Sequence, residues 1–152
     1  MNKFLLNFAV AGILISAPLC PNWINNPTDL SIWLVNNFTY QAEEEGENYW
    51  KTPEEIIKDK SGDCEDFSFL VDKILTDLGY KTKVISVSYK DIKFAHAICI
   101  IEQNNKHSFF SNQYYFSKQF DNIYALLENN YPNWSSYHTI YQDGRRTNFV
   151  RK

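Results

Sequence analysis

The sequence predicts an α+β fold in which helices come first and an antiparallel sheet follows. Between Leu30 and Leu78 apolar residues recur at helical spacing, whereas from Lys83 onward they alternate with polar ones and Val, Ile and aromatic residues dominate. No repeat or low-complexity stretch interrupts that change.

Pro21 to Pro27 reads as a polar connector, after which Thr28-Asp29 opens a helix with Leu30, Trp33, Leu34 and Asn37 on one side. The acidic stretch from Tyr40 to Tyr49, YQAEEEGENY, contains Gly46 and reads as a surface loop. Thr52-Pro53-Glu54-Glu55 then has every mark of a helix start: a threonine N-cap, proline at the first helical position, and Glu55 closing a capping box. That helix ends near Lys60. Gly62 makes the turn, Asp63 caps the next helix, and Phe67, Leu70, Val71, Ile74, Leu75 and Leu78 form its apolar face up to the stop at Gly79. Strands follow over residues 83–89, 94–101 and 107–112, the last two joined by the polar EQNNK. A helix near residues 121–129 and a hairpin around Asp143-Gly144 complete the chain.

At 152 residues the chain predicts one domain over residues 21–152. A net charge of −3 and scattered Lys and Arg, apart from the Arg145-Arg146 pair, argue against nucleic acid as a partner. Residues 1–20 combine Lys3, an apolar run from Phe4 to Ile15 too short to span a bilayer, and small residues before Pro18. This reads as a signal peptide or N-terminal anchor, so the protein is expected to be exported, periplasmic or extracellular. Leu19-Cys20 only loosely matches a lipid-attachment site, and membrane association is expected only through this segment if it is uncleaved or lipidated. The three cysteines, Cys20, Cys64 and Cys99, make a poor disulfide framework.

Cys64 carries the chemistry. A thiol at a helix start meets unpaired N–H donors and the positive end of the helix dipole, which favour the thiolate and can also receive an oxyanion. Asp63, Glu65 and Asp66 oppose this, so a cation must compensate. His96, in the strand FAHAIC, is the leading candidate, while His107 and His138 sit at strand starts where exposed histidines need no explanation. Alternation turns Cys99 away from the His96 side, into the core. The third member depends on hairpin register. A loop of three or five residues sets His96 opposite Asn112 with Cβ atoms ~5 Å apart, whereas a two-residue Asn104-Asn105 turn offers Gln113, so that Asn112, Ser111 and Gln113 all stay open as the third member.

NYWKTPEEIIKDKSGDCEDFSFLVDKILTDLGY followed by AHAICI resembles the transglutaminase-like cysteine peptidase superfamily, and most closely its bacterial periplasmic branch. The resemblance covers roughly residues 48–112. It implies a papain-like core, Cys64 as nucleophile, His96 as general base and acid, and Asn112 at the place of the orienting Asp or Asn. Here the strand ends Phe110-Ser111-Asn112, where that branch commonly has Leu-Asp-Asn. The resemblance also implies Ca²⁺ on Asp63, Glu65 and Asp66, no organic cofactor, and Trp50 as a wall of the substrate groove. The expected activity is hydrolysis of amide bonds in a protein or peptide through a thioester. Its alternatives are transglutaminase-type acyl transfer at the same site, a catalytically inactive binding module on the same fold, and, more weakly, a metal site of Cys64, Asp66 and His96.

Overall fold

The computed structural model describes residues 18–43 and 49–152. Nearly all of the expected leader, and residues 44–48 of the acidic loop, lie outside the described residues.

Helix α1 (Pro27–Asn37) begins earlier than its sequence pattern suggests, because Asn26 rather than Thr28 caps it and Pro27 occupies the first helical position. Asn26 Oδ1 accepts the Asp29 N–H at 3.0 Å. Strand β1 (Thr39–Tyr40) takes the first residue of the expected loop and pairs in parallel with β2 (Ser61–Gly62). Between them α2 (Pro53–Asp59) has the complete Thr52/Glu55 capping box and ends on Lys60 in a left-handed conformation.

Helix α3 (Cys64–Asp77) is capped by Asp63 and leaves through a Schellman turn: Gly79 takes φ +88, and its N–H and that of Tyr80 reach back to the carbonyls of Thr76 and Leu75. Leu78 belongs to this cap and is 38% exposed, so it drops out of the apolar face assigned to it from sequence.

One sheet has the order β6-β5-β4-β3-β7-β8, formed by β3 (Lys81–Tyr89), β4 (His96–Gln103), β5 (Lys106–Ser111), β6 (Tyr114–Phe120), β7 (Trp134–Ile140) and β8 (Arg146–Arg151). All neighbours in it are antiparallel. The strand β6 is additional to those read from the sequence. Four of its seven residues in a row are exposed, so the edge strand lacks the alternation that marks a half-buried one.

Two apolar layers flank the sheet. On one face α1, α2 and α3 meet Cys99, Ile101 and Phe110 through Leu34, Ile56, Phe67, Leu70 and Ile74. On the other, α4 (Ile123–Asn130) places Leu126 and Leu127 with Ile85, Val87, Ile98, Ile100 and Phe109. Pairing of Val87 with His96 and of Ile85 with Ile98 puts His96 on this second face, opposite to the one that α3 covers.

The β4–β5 register corrects the placement of Asn112 opposite His96. Gln103 pairs with Lys106 and Ile98 with Ser111, around a two-residue Asn104-Asn105 turn in which both residues have positive φ, 51° and 59°. Asparagine tolerates that conformation, and such a turn matches the twist of the flanking strands. A one-residue slip reverses every side chain, so it is Ser111 that shares the face of His96.

Candidate active site

Cys64 is the first residue of α3, and the cap explains how its surroundings arise. Asp63 Oδ1 accepts the Asp66 N–H at 3.1 Å, and Asp66 Oδ2 accepts the Asp63 N–H at 3.3 Å. Asp66 Oδ1 also accepts the Lys51 N–H at 2.8 Å, which ties the entry to α2 onto the start of α3. The thiol is buried, packed with Phe69, Val84, Ala97 and Ile140, with Trp50 against the same cluster. Trp50 also stacks at a tilt on Phe69, ring centroids 5.3 Å apart. It is therefore a packing residue of the cluster that holds the thiol.

The Cys64 Sγ–H donates to Glu65 Oε2 at 2.7 Å. Burial first, and the Glu65 carboxylate second, hold the thiol well above its ordinary range, while a hydrogen bond from the Ala97 backbone acts in the opposite direction. That bond places the sulfur beside the start of β4, one residue from His96. The nucleophile candidate and the histidine thus approach each other around the end of a strand, from opposite faces of the sheet. No hydrogen bond joins the sulfur to the imidazole.

His96 Nε2 lies 2.8 Å from Ser111 Oγ, and burial lowers the imidazole below its ordinary value. With a neutral imidazole and a protonated thiol, the arrangement is not the ion pair that a cation beside Cys64 would give. Asn112 stands in the β5–β6 turn with φ +52, and its Oδ1 is buried with no hydrogen-bond partner. Gln113 is turned to α1, its Nε2 donating to the Phe38 carbonyl at 2.7 Å and its own carbonyl accepting from Ser31 Oγ. The hydrogen-bond partner of the imidazole is therefore Ser111, on the second face of β5. Tyr131, after α4, sits with its ring centroid 5.9 Å from that of His96, its phenol on the Ser111 side. Tyr40, Tyr89 and Tyr131 all lie close enough to Cys64 that a thiolate there would raise their own ionisation. Nothing in the sequence around Tyr131 signalled this position; the register alone brought out Ser111.

His138, expected at an exposed strand start, is instead buried within β7 and stacked on Phe149 at 4.6 Å. Cys99 is fully buried in the layer formed with α3.

The three carboxylates read as calcium ligands separate into a pair and a single. Asp63 and Asp66 share the capping box. Burial first, then the charge of Asp63, pushes Asp66 up to about 6. Asp66 borders a cavity of about 270 Å³ lined also by Gln41, Glu43, Tyr49 and Lys51. Glu65 faces the thiol instead. Among the described residues no three His, Cys, Asp or Glu side chains converge as a metal-holding group. The buried pair is chemically suited to a hard cation, which would relieve its desolvated charge; Glu65 in this arrangement is not part of that pair.

The transglutaminase-like domain family matches residues 21–132. No curated protein matches the chain. Among solved structures, the fold is similar to that of Legionella pneumophila LapG in its calcium-bound form, with a TM-score of 0.57 and 18% identity over 83% of this chain and 69% of that one. With its helix-borne Cys64 at the end of an antiparallel sheet whose adjoining strand begins at His96, the chain belongs to the transglutaminase-like domain family.

Proposed function

We propose that the protein is a cysteine hydrolase that cleaves amide bonds in a protein or peptide. The observation that carries this reading is the position of Cys64: first residue of α3, its sulfur against the backbone of Ala97, the residue that follows His96. The cap takes up the N–H of Asp66, and that of Glu65 as well, through the Asp63 carboxylate. The Cys64 N–H is the amide of this first turn that remains for an oxyanion.

In the reaction, the Cys64 side chain swings from Glu65 and passes its proton to the imidazole nitrogen not engaged by Ser111, Nδ1. The sulfur attacks the carbonyl carbon, and His96 returns the proton to the departing amine, leaving a thioester. Water then gives a proton to His96 as its oxygen attacks that thioester, and the proton goes back to the sulfur as the acid leaves. Asp63 and Asp66 would hold Ca²⁺, which when bound supplies positive charge at the helix start; the calcium-bound state of LapG supports this assignment. Export follows from the reading of residues 1–20; among the described residues no helix is long and apolar enough to cross a membrane.

The test is incubation of the purified chain with a mixed peptide library, with products identified by mass spectrometry. New amide-cleavage products should appear with the wild type and vanish in Cys64→Ala and His96→Ala. Products that persist in Cys64→Ala overturn the assignment. A labelled amine in the same reaction reads out transfer in place of hydrolysis.

A further inference from the structure

Among the described residues, the imidazole of His96 has no carboxylate or amide side chain as a hydrogen-bond partner; Ser111 Oγ, at 2.8 Å, is its partner. A single serine hydroxyl is a weak anchor because it rotates freely about its Cα–Cβ bond. The phenol of Tyr131 stands beside the same hydroxyl, its ring centroid 5.9 Å from that of the imidazole. The phenol is itself fixed. Its ring lies between His96, Phe109 and Tyr89, with centroids at 5.9, 6.0 and 6.3 Å. The backbone of Tyr131 closes α4 through its N–H to the Leu127 carbonyl at 2.7 Å, and its own carbonyl accepts the Trp134 N–H at 2.9 Å. Ser111 is likewise held on both sides, paired with Ile98 and with Tyr114.

Resting on the reading of Cys64 and His96 above, we propose that Ser111 and Tyr131 are positioning residues of this site, a neutral hydroxyl relay that sets the tautomer and orientation of His96 in place of an Asp or Asn. Serine has one proton to give. If Nε2–H donates to Ser111 Oγ, the Ser111 hydroxyl hydrogen is directed to Tyr131 Oη, and the chain of donors runs one way from ring to ring. Nδ1 then keeps its lone pair and can accept the thiol proton. A carboxylate in this place would also stabilise the imidazolium. The relay carries no charge, so it orients the base without making it cationic.

Two measurements on the full chain test this. One is ¹⁵N NMR of the histidine side chains, with His96 assigned by difference from His96→Gln; the other is the rate at which iodoacetamide labels Cys64, read on its peptide by mass spectrometry. The wild type should hold His96 as the Nε2–H tautomer. Ser111→Ala and Tyr131→Phe, which keeps the packed ring, should each give a tautomer mixture and slow labelling by about tenfold, the scale of one well-placed hydrogen bond in a rate. Ser111→Thr, which restores the hydroxyl, should recover both. An unchanged tautomer and rate in Ser111→Ala and Tyr131→Phe overturns the relay. Labelling that is equally fast in His96→Gln overturns the role of His96 as base, a separate failure, because the tautomer spectrum still reads the relay.

Discussion

The Cys64 thiol donates its proton to Glu65 Oε2 across 2.7 Å, so the residue following the cysteine is also the one that holds its proton. Burial is the larger reason that the thiol stays protonated, and the Glu65 charge is the next. Glu65→Gln keeps the shape and removes the charge. The expected result is faster labelling of Cys64 by iodoacetamide at pH 7, by about tenfold for each unit by which the thiol pKa falls. A rate equal to that of the wild type would mean that desolvation alone sets the resting state.

Burial holds His96 below its ordinary value of 6.5. The unfolded chain therefore takes up a proton at a pH where the folded one does not. Stability from this source is present above 6.5 and is lost as pH falls through the lower, folded value. Urea denaturation between pH 8 and pH 5 should show the wild type losing stability relative to His96→Gln as pH falls through that window; His138, which burial also lowers, and Asp66, of opposite sign, act on both proteins alike. Parallel curves would remove the buried-imidazole account.

Asp66 has the opposite sign. Its carboxyl stands at about 6 against an ordinary 3.8, so its favourable contribution is present below 3.8 and lost as pH rises through about 6. A cation on the Asp63/Asp66 pair offsets that loss. Millimolar Ca²⁺ added to chelator-treated protein should raise the melting temperature at pH 7.5, more than Mg²⁺ does, and raise it less at pH 5. Asp66→Asn should abolish the gain. No shift in the wild type at pH 7.5 would leave the two carboxylates as cap residues and nothing more.

Gly62 lies against the same carboxylate. A Cβ there would stand 2.7 Å from Asp66 Cβ and 3.0 Å from Asp66 Oδ2. Gly62→Ala should destabilise the fold by about 1–3 kcal/mol, as overpacking of a tight site does, and weaken any response to Ca²⁺. Thermal denaturation with and without the ion measures both effects, and an unchanged melting temperature would show that Asp66 can move aside.

What was legible in the sequence follows from how local each determinant is. Thr52 with Glu55, and Asp63 before Cys64, announce their helices because a cap is a contact within a few residues. The register of β4 against β5 is another matter. EQNNK is polar throughout, so composition marks no strand end within it, and the left-handed conformations of Asn104 and Asn105 decide which residue faces His96. Strand β6 was missed because Tyr114 to Gln119 is an edge with little burial. Tyr131 was missed for a different reason: it follows α4, which is packed on the far side of the sheet, and only the tertiary fold brings it to the imidazole.

Cys64 and His96 reach the end of β4 from different layers: α3 sits on one face of the sheet, and His96 shares the other with the α4 layer. On the proposed assignment, neither layer carries a working site by itself. A folding intermediate with α3 docked but α4 still loose would hold a thiol with no oriented base, inert toward its own chain and toward neighbouring ones. The same division gives heating a definite order of events. Release of the α4 layer would silence the enzyme while the larger helical layer still stood, so inactivation would precede the loss of far-ultraviolet helical signal, and the protein would regain activity on cooling from that state without refolding as a whole.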